Sequence, residues 1–436
     1  MDKLKGRLEG KALPIVLMTV FIDVLGVGIL MPILPMLIYT IFMPAGFSRN
    51  EALVALGWLT AIYPLMMFFA TPILGQLSDR FGRKKVLAIS LAGTALGYII
   101  FAIGILTKNI PLLFLGRALD GITGGNISVA RAVVADVTPP EHRARNFGII
   151  GAAFGLGFVL GPYIGARLAN PNTDFFGIFT TPIWFDAATP FWFAAILATL
   201  NALFVLFILP ETHQYINKKL KLAWNKSLDN IRKAFVRPEL RIVFTAEFLF
   251  WGGFTFFTTF FQILLIEKLG FSGSNVGDFF AYIGICIALS QAIIVPFAVK
   301  RWKSHNIMKV ALIGNGIALF LQLWPDKTSE LLLVAPLIAI FNGLTMANAS
   351  ALVSLSASSE EQGEVLGIEA SVQALAQAIP AIISGYVATM GVSMPLVVGG
   401  FTIIAGGLVM ILFYKVPKKV DQQESGDINA AISASH

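Results

Sequence analysis

Apolar runs of about 20 residues recur along the whole chain and alternate with short polar stretches. A helix rises about 1.5 Å per residue, so a run of this length crosses the ~30 Å hydrocarbon layer of a bilayer. The pattern predicts an all-α polytopic membrane protein with twelve transmembrane helices, called spans 1 to 12 below. They cover residues 13–38, 50–77, 85–107, 110–137, 143–169, 189–210, 239–266, 275–299, 306–324, 329–354, 362–389 and 394–415.

The longest polar segment between two spans divides them into six and six. We predict an N-terminal six-helix bundle at 1–210, a cytoplasmic basic linker at 211–238 and a C-terminal six-helix bundle at 239–415. The linker combines basic and apolar residues, which is typical of a segment that lies on the inner membrane surface. The polar tail at 416–436 is expected to be disordered.

Composition excludes a soluble protein of this size. Of the 436 residues 56% are hydrophobic and only 13% are charged, with a mean hydropathy of +0.77; soluble domains carry about 25% charged residues. The net charge of +7 does not indicate a nucleic-acid partner, because the basic residues lie between apolar runs and not on one soluble face. A single cysteine, Cys286, excludes a disulfide within the chain.

The distribution of basic residues predicts the orientation of the spans. With an even number of spans both termini share one side, and 25 of the 32 Lys and Arg residues fall on that side. Five lie in the opposite loops, and Arg117 and Arg131 lie within span 4. Cytoplasmic loops are enriched in Lys and Arg, so we predict that both termini are cytoplasmic.

Several short motifs occur in the first five spans in a fixed order. They are "FIDVLGVGILMPILP" (21–35), "GQLSDRFGRKKVL" (75–87), "GRALDGITGG" (116–125), "ADVTPPEHRARNFG" (135–148) and "GLGFVLGPYIGA" (155–166). Together they resemble the major facilitator superfamily, and within it the tetracycline-exporter-like group of the drug/H+ antiporter branch. The second half resembles the family more weakly.

The resemblance implies a proton-coupled secondary transporter in the cell membrane, such as a bacterial inner membrane. It would export a small amphipathic organic molecule (a drug, metabolite or siderophore) by alternating access. The expected partners are this substrate, protons and the bilayer, with no nucleic acid, and the chain is expected to be a monomer. Two alternatives remain: a proton symporter that imports a nutrient, and a membrane sensor that does not transport.

An enzyme is not expected. The four histidines lie in loops or the tail, and neither metal-ligand spacing nor a phosphate-binding loop occurs. We therefore expect no cofactor and no metal.

Ionisable residues inside spans are candidates for proton coupling, because a charge in lipid is costly unless it faces a cavity or a partner. Asp23 lies about 15 Å into span 1, and it either carries a proton or makes a structural hydrogen bond between helices. Arg117 and Asp120 can face the same side of span 4; they either neutralise each other or Arg117 competes with a proton for an acid. Glu247 in span 7 and Glu369 in span 11 are second-rank candidates.

The charged loop after span 2 predicts a cytoplasmic gate. Its candidate residues are Gly75, Asp79, Arg80, Gly82, Arg83 and Asp136. We expect sharp backbone turns at Gly75 and Gly82. A simpler interpretation is that the basic residues only anchor the topology.

The resemblance also implies partners for these charges. Asp79 would meet the amino end of span 11, near 361–364, where the helix dipole favours an anion. Arg83 or Arg80 would pair with Asp136. These contacts would form in the outward-open state and break when the cytoplasmic side opens.

Span 5 carries the motif associated with antiporters. Gly157, Gly161 and Gly165 are four residues apart and share a face that a neighbouring helix can approach closely. Pro162 can kink the helix. Ala166 stands where the motif has a final glycine.

A substrate cavity is expected to include uncharged polar residues within the spans, with help from the phenylalanine-rich stretch 248–262. The candidates are Asn126, Arg131, Gln262, Asn342, Asn348 and Gln373. Among them Arg131 departs from the uncharged polar residue that the resemblance leads us to expect.

Overall fold

The computed structural model describes residues 2–138, 143–175, 177–212, 222–237, 240–356 and 362–417. Helices occupy all twelve predicted spans. The helices of the first part are α1 Asp2–Leu30, α2 Arg49–Phe81, α3 Arg83–Leu106, α4 Ile110–Thr123, α5 Asn126–Val137, α6 Arg143–Leu168 and α7 Thr189–Ile208. Those of the second part are α8 Lys226–Val236, α9 Arg241–Leu269, α10 Gly273–Leu289, α11 Val295–Val299, α12 Ser304–Leu321, α13 Thr328–Leu355, α14 Gln362–Ala388 and α15 Met394–Phe413.

The all-α membrane fold is confirmed. Among the described residues, ten helical segments are long and apolar enough to cross a membrane. The two predicted spans outside this set are spans 4 and 5. Span 4 consists of the short helices α4 and α5, separated by a turn at Gly124 and Gly125. Span 5 corresponds to α6, which has 26 residues.

The first helix ends earlier than predicted. It stops at Leu30 and not at residue 38, and turns follow up to a π-helical segment at Ile38–Phe42. Pro32 and Pro35 lie in these turns. A proline has no backbone N–H to donate and clashes with the preceding turn of a helix, which explains the early end.

One short β-hairpin interrupts the helical pattern. Strand β1, Asp174–Phe175, pairs antiparallel with β2, Phe179–Thr180, in the loop between α6 and α7. Gly177 between the strands has a φ of +69°, a conformation that glycine adopts without steric cost.

Local sequence signals define the ends of α2. A capping box starts it: Ser48 Oγ accepts a hydrogen bond from the Glu51 N–H at 3.3 Å, and Glu51 Oε2 accepts one from the Ser48 N–H at 2.8 Å. Gly82 ends it with a φ of +97°, and α3 begins at the next residue. The chain therefore reverses between α2 and α3 at one glycine.

The described helices pack as two compact units. The first comprises the described residues up to Lys226 together with Phe271–Ala281, and the second comprises the described residues of Ser227–Gly270 and those from Tyr282 to residue 417. In the first unit α1 packs on α6 and α5, and α3 packs on α4 and α7. In the second, α9 packs on α14 and α15, and α12 packs on α13 and α15.

Candidate functional site

A buried ion pair lies in the interior of the first unit, on α4. Arg117 NH1 lies 3.1 Å from Asp120 Oδ2, and both side chains are less than a tenth exposed. The carbon of the guanidinium is 4.5 Å from the centroid of the Tyr63 ring on α2. The charge of Arg117 is thus shared between a carboxylate and an aromatic face. The two residues face the same side of the helix, as their spacing predicts.

Asp23 on α1 lies beside this pair. Its carboxyl is next to the Asn126 side chain and near Asp120. Among the described residues, Asp23 Oδ2 and both polar atoms of the Asn126 amide are buried without a hydrogen-bond partner. Buried polar atoms without a partner cost about 1–3 kcal/mol each, so this point of the interior is suited to hold a proton or a polar group of a ligand.

Two tyrosines of this site were not predicted. Tyr63 lies under Arg117, and the Tyr98 hydroxyl lies so close to Gly26 that a Cβ there would overlap it. Both rings are buried. A tyrosine within an apolar run is typical of ordinary helix packing, so the only sequence signal was Gly26, which leaves room for the hydroxyl three residues after Asp23.

A second charged cluster surrounds Arg83 at the start of α3. Its NH1 lies 2.5 Å from Asp79 Oδ1 and donates to Ser78 Oγ at 2.6 Å, and its Nε donates to Asp136 Oδ2 at 3.1 Å. The Arg83 side chain is only 9% exposed. The structure therefore brings together three of the predicted gate residues, and it selects Arg83 as the partner of Asp136. Arg80 instead lies over the Phe81 ring, 5.1 Å from its centroid.

The predicted turn at Gly75 is wrong. Gly75 lies inside α2, and a Cβ there would have open space around it. Helical hydrogen bonding continues past it to the end of α2, where the Gly82 N–H donates to the Ser78 carbonyl at 3.0 Å. Gly82 alone makes the turn, with a φ that side-chain-bearing residues rarely adopt.

Glu211 was not predicted as part of this cluster. Its Oε1 accepts a hydrogen bond from the Arg83 N–H at 2.9 Å, and a Cβ on Gly82 would overlap its carboxylate. A carboxylate at the first N–H of α3 is favoured by the helix dipole. The sequence signal was weak, because Glu211 stands alone after a span and has no periodic neighbour.

The Arg83–Asp136 pair joins α3 and α5 within the first unit, so it does not by itself require the two predicted halves to meet. The predicted partner of Asp79 near 361–364 starts at residue 361, which lies outside the described residues. That contact stays a prediction.

The glycine face of α6 packs directly against α1. A Cβ on Gly161 would lie 2.7 Å from the Gly28 Cα, and Cβ atoms on Gly157 and Gly165 would meet Val24 and Ile29. Pro162 lies within α6 beside the same glycine of α1. These backbones approach so closely that no side chain fits between them.

The end of α6 contacts the first turns of α10, a contact that was not predicted. A Cβ on Gly277 would overlap the Ala166 methyl group. Arg167 NH2 lies 2.6 Å from Asp278 Oδ1, and its guanidinium lies over the Tyr163 ring at 4.9 Å. Ala166, which stands where the motif has a glycine, thus faces Gly277. The missing side chain of Gly277 leaves room for the Ala166 methyl group.

In the second unit the structure brings the two second-rank acids together. The Glu247 carboxyl on α9 lies next to the Glu369 carboxyl on α14. Glu247 is 2% exposed, whereas Glu369 is half-buried. Ser350 Oγ on α13 donates to Glu369 Oε1 at 2.7 Å.

The predicted cavity residues lie on both units. Arg131 is exposed on α5, 11 residues after Asp120. Gln262, Asn342 and Asn348 are buried in the second unit, and each has a polar atom without a partner among the described residues. Gln373 is half-buried on α14.

Long apolar helices with ion pairs and carboxyls buried between them define a multi-pass helical membrane protein. Residues 16–379 match the family described as Major Facilitator Superfamily. The chain therefore belongs to the Major Facilitator Superfamily, which is a family of membrane transporters.

Relatives of known name agree with this assignment. Tetracycline resistance protein, class E, of Escherichia coli is 30% identical over 383 residues, which cover 85% of this chain and 86% of the relative. Multidrug resistance protein 2 of Bacillus subtilis (strain 168) is 25% identical over 408 residues, 92% of this chain and 96% of the relative.

A solved structure shares the fold. The crystal structure of the human organic anion transporter MFSD10 superposes with a TM-score of 0.71 over 92% of this chain and 99% of the other, at 23% sequence identity.

Proposed function

We propose that this chain is a proton-coupled exporter of small amphipathic organic molecules, and that Asp23 carries the coupled proton. Similarity to tetracycline and multidrug resistance proteins supports export of drug-like compounds. The observation that carries the assignment of Asp23 is its carboxyl oxygen Oδ2, which is buried beside Asn126 and near the Arg117–Asp120 pair and has no hydrogen-bond partner in the described part of the chain.

The geometry suggests how a proton and a substrate compete. Asp120 forms an ion pair with Arg117, so the negative charge of Asp120 is balanced in this structure. Asp23 has a buried oxygen without a hydrogen-bond partner among the described residues, with the Asn126 amide beside it and Asp120 nearby. A proton there removes a charge that the interior would otherwise have to hold. A polar or cationic group of the substrate that reaches Asn126 and Asp23 would displace this proton.

The orientation and architecture complete the proposal. The basic loops favour cytoplasmic termini, and we infer that two six-helix bundles at 1–210 and 239–415 alternate access to the substrate. The cavity residues on α9, α13 and α14 would contribute from the C-terminal bundle.

Transport by reconstituted protein tests the proposal. Purified protein in proteoliposomes is given an imposed pH gradient and a panel of amphipathic compounds that includes tetracycline. The compound is expected to move in the direction opposite to the proton flow. This is expected for the wild-type protein and for the control variant Asp326→Asn, which changes an acid in an exposed loop. Asp23→Asn should abolish proton-driven accumulation while exchange of compound down its own gradient continues.

Two results would overturn the proposal. Compound moving in the same direction as protons would show an importer, and a gradient-driven rate that Asp23→Asn leaves unchanged would remove Asp23 as the proton carrier.

A further inference from the structure

We propose that Glu247 and Glu369 form a second proton site, in which Glu247 holds the proton and donates it in a hydrogen bond to the Glu369 carboxylate. This inference rests on the proposed function and deepens it, since it places a proton in each of the two units. The site lies between α9 and α14 in the second unit, with α13 supplying Ser350.

Helix packing brings these two acids together from distant parts of the sequence. A Cβ on Gly252 would lie 3.1 Å from the Pro380 ring and 3.7 Å from the Ala376 carbonyl oxygen, so α9 and α14 are in close contact there. Glu247 lies five residues before Gly252 on α9, and Glu369 lies seven residues before Ala376 on α14. The close approach of the backbones leaves the two carboxyls beside each other.

The hydrogen bonds assign the proton to one carboxyl. Ser350 Oγ donates to Glu369 Oε1 at 2.7 Å, and a carboxylate is the stronger acceptor for such a hydroxyl. Glu369 is also the more exposed of the two acids, so it is the better place for a negative charge. Glu247 is 2% exposed, and its Oε2 has no partner among the described residues. A neutral carboxylic acid fits this position.

The other charged residues described on α8, α9, α13 and α14 are either bound elsewhere or lie further along their helices. Lys233 and Arg237 bind Glu364, at the start of α14. Arg241 is at the start of α9, α13 has Glu330 in its first turn as its only charged residue, and α15 has none. A proton is therefore the simplest species to balance the second carboxyl.

The pair also constrains release of its proton. If Glu247 gives its proton to water, two adjacent carboxylates remain, and like charges repel strongly in the interior. Release is favourable only when a cation enters, such as the ammonium group of a basic substrate. The Trp251 and Phe254 rings lie one and two turns further along α9 from Glu247, with centroids 6.3 Å apart, and they would suit the apolar part of such a molecule.

Infrared difference spectroscopy tests the proton assignment without any transport. All variants are made in the Asp23→Asn background, which removes the other carboxyl proposed to hold a proton. In nanodiscs this background protein is expected to show a carbonyl band of a protonated carboxylic acid near neutral pH. Glu247→Gln should remove this band, whereas Glu267→Gln, an exposed acid on the same helix, should leave it intact. Ser350→Ala should shift the frequency of the band. It removes the hydroxyl that donates to Glu369, which is the proposed acceptor of the Glu247 proton.

The outcomes separate this inference from the proposed function. A band that persists in Glu247→Gln and disappears in Glu369→Gln would overturn the assignment of the proton, and a band that survives both substitutions would overturn the site. Loss of the band in Glu247→Gln would support the pair even if no compound on the panel were transported. Failure of transport with the band intact would count against the proposed function alone.

Discussion

Arg83 binds two carboxylates and one hydroxyl although its side chain is almost entirely buried. A buried charge that loses its partner is far more costly than an exposed one, because the interior cannot solvate the charge that remains. The loop between α2 and α3 therefore depends on this residue for its structure as well as for any role in gating.

We expect Arg83→Gln to lower the free energy of unfolding by about 3 kcal/mol, since it leaves Asp136 and Asp79 without their cation. Thermal unfolding of purified protein in detergent measures the effect. Arg80→Gln is the matched control, because Arg80 lies on the Phe81 ring at the surface. Equal stability of the two variants would contradict the importance of the Arg83 cluster.

Asp79 is expected to behave differently from its partner. Its side chain is 44% exposed, and exposed ion pairs contribute about 0–1 kcal/mol. Asp79→Asn should therefore insert and fold nearly as the wild type does. If Asp79 belongs to a cytoplasmic gate, as the sequence predicts, the variant should lose most of its transport. Normal transport by a well-expressed Asp79→Asn protein would reduce the loop to a topology anchor.

At the scale of helices, α1 and α6 are held together by glycines. Gly161→Val should destabilise the protein by about 1–3 kcal/mol, because a side chain there overlaps the backbone of Gly28. Gly155 on the same helix supplies the control, since a Cβ there would meet no atom within 4 Å. Fluorescence-detected size-exclusion chromatography after heating compares the two variants. A Gly155→Val protein as unstable as Gly161→Val would argue against the specific contact.

Helix α8 is attached to α14 by polar contacts. Lys233 Nζ lies 2.8 Å from Glu364 Oε1, and Asn230 Nδ2 donates to Ser371 Oγ at 3.0 Å. The hydrogen bonds to Glu364 and Asp229 raise the pKa of Lys233 above its ordinary value. The charged amine therefore stabilises the folded protein. This stabilisation is fully present at pH values below the unfolded pKa of the lysine, and it is lost as pH rises through the folded pKa.

Glu364→Gln removes the shared acceptor of Lys233 and Arg237. We expect faster hydrogen exchange of the backbone amides of α8, by a few-fold, while exchange of α15 is unchanged. Hydrogen exchange followed by mass spectrometry measures this, and Glu330→Gln on α13 is the control. No change in α8 would mean that Asn230 and apolar packing alone hold the helix.

At the scale of the whole molecule, the basic residues of the loops predict the orientation of the chain in the membrane. A reporter enzyme that works only in the cytoplasm should be active when it is fused after residue 436. A reporter that works only outside the cytoplasm should be active when it is inserted next to Lys327. The reason is that 25 of the 32 basic residues lie on the predicted side of the termini. An outward C-terminus would reverse the proposed direction of every loop and of the gate.

Hydropathy predicted the helical pattern well, because the bilayer demands long apolar helices whatever their neighbours are. Helices occupy all twelve predicted spans, and ten described helical segments are long and apolar enough to cross a membrane. Local backbone detail was less predictable: Pro32 and Pro35 end α1 early, and Gly75 is an ordinary helical residue. Contacts between distant segments were the hardest part. Nothing in the sequence places Glu211 at the start of α3 or Glu247 beside Glu369, since these contacts arise from packing.

The turn at Gly124 and Gly125 divides one membrane crossing into two rods, α4 and α5. Its glycines lie against Tyr63 and Thr71 of α2 with no room for a side chain. A continuous helix would transmit any tilt of the segment that carries Asp136 straight to the Arg117–Asp120 pair. The turn separates α4 from α5, so we expect a tilt of the segment that carries Asp136 to leave the buried pair in place.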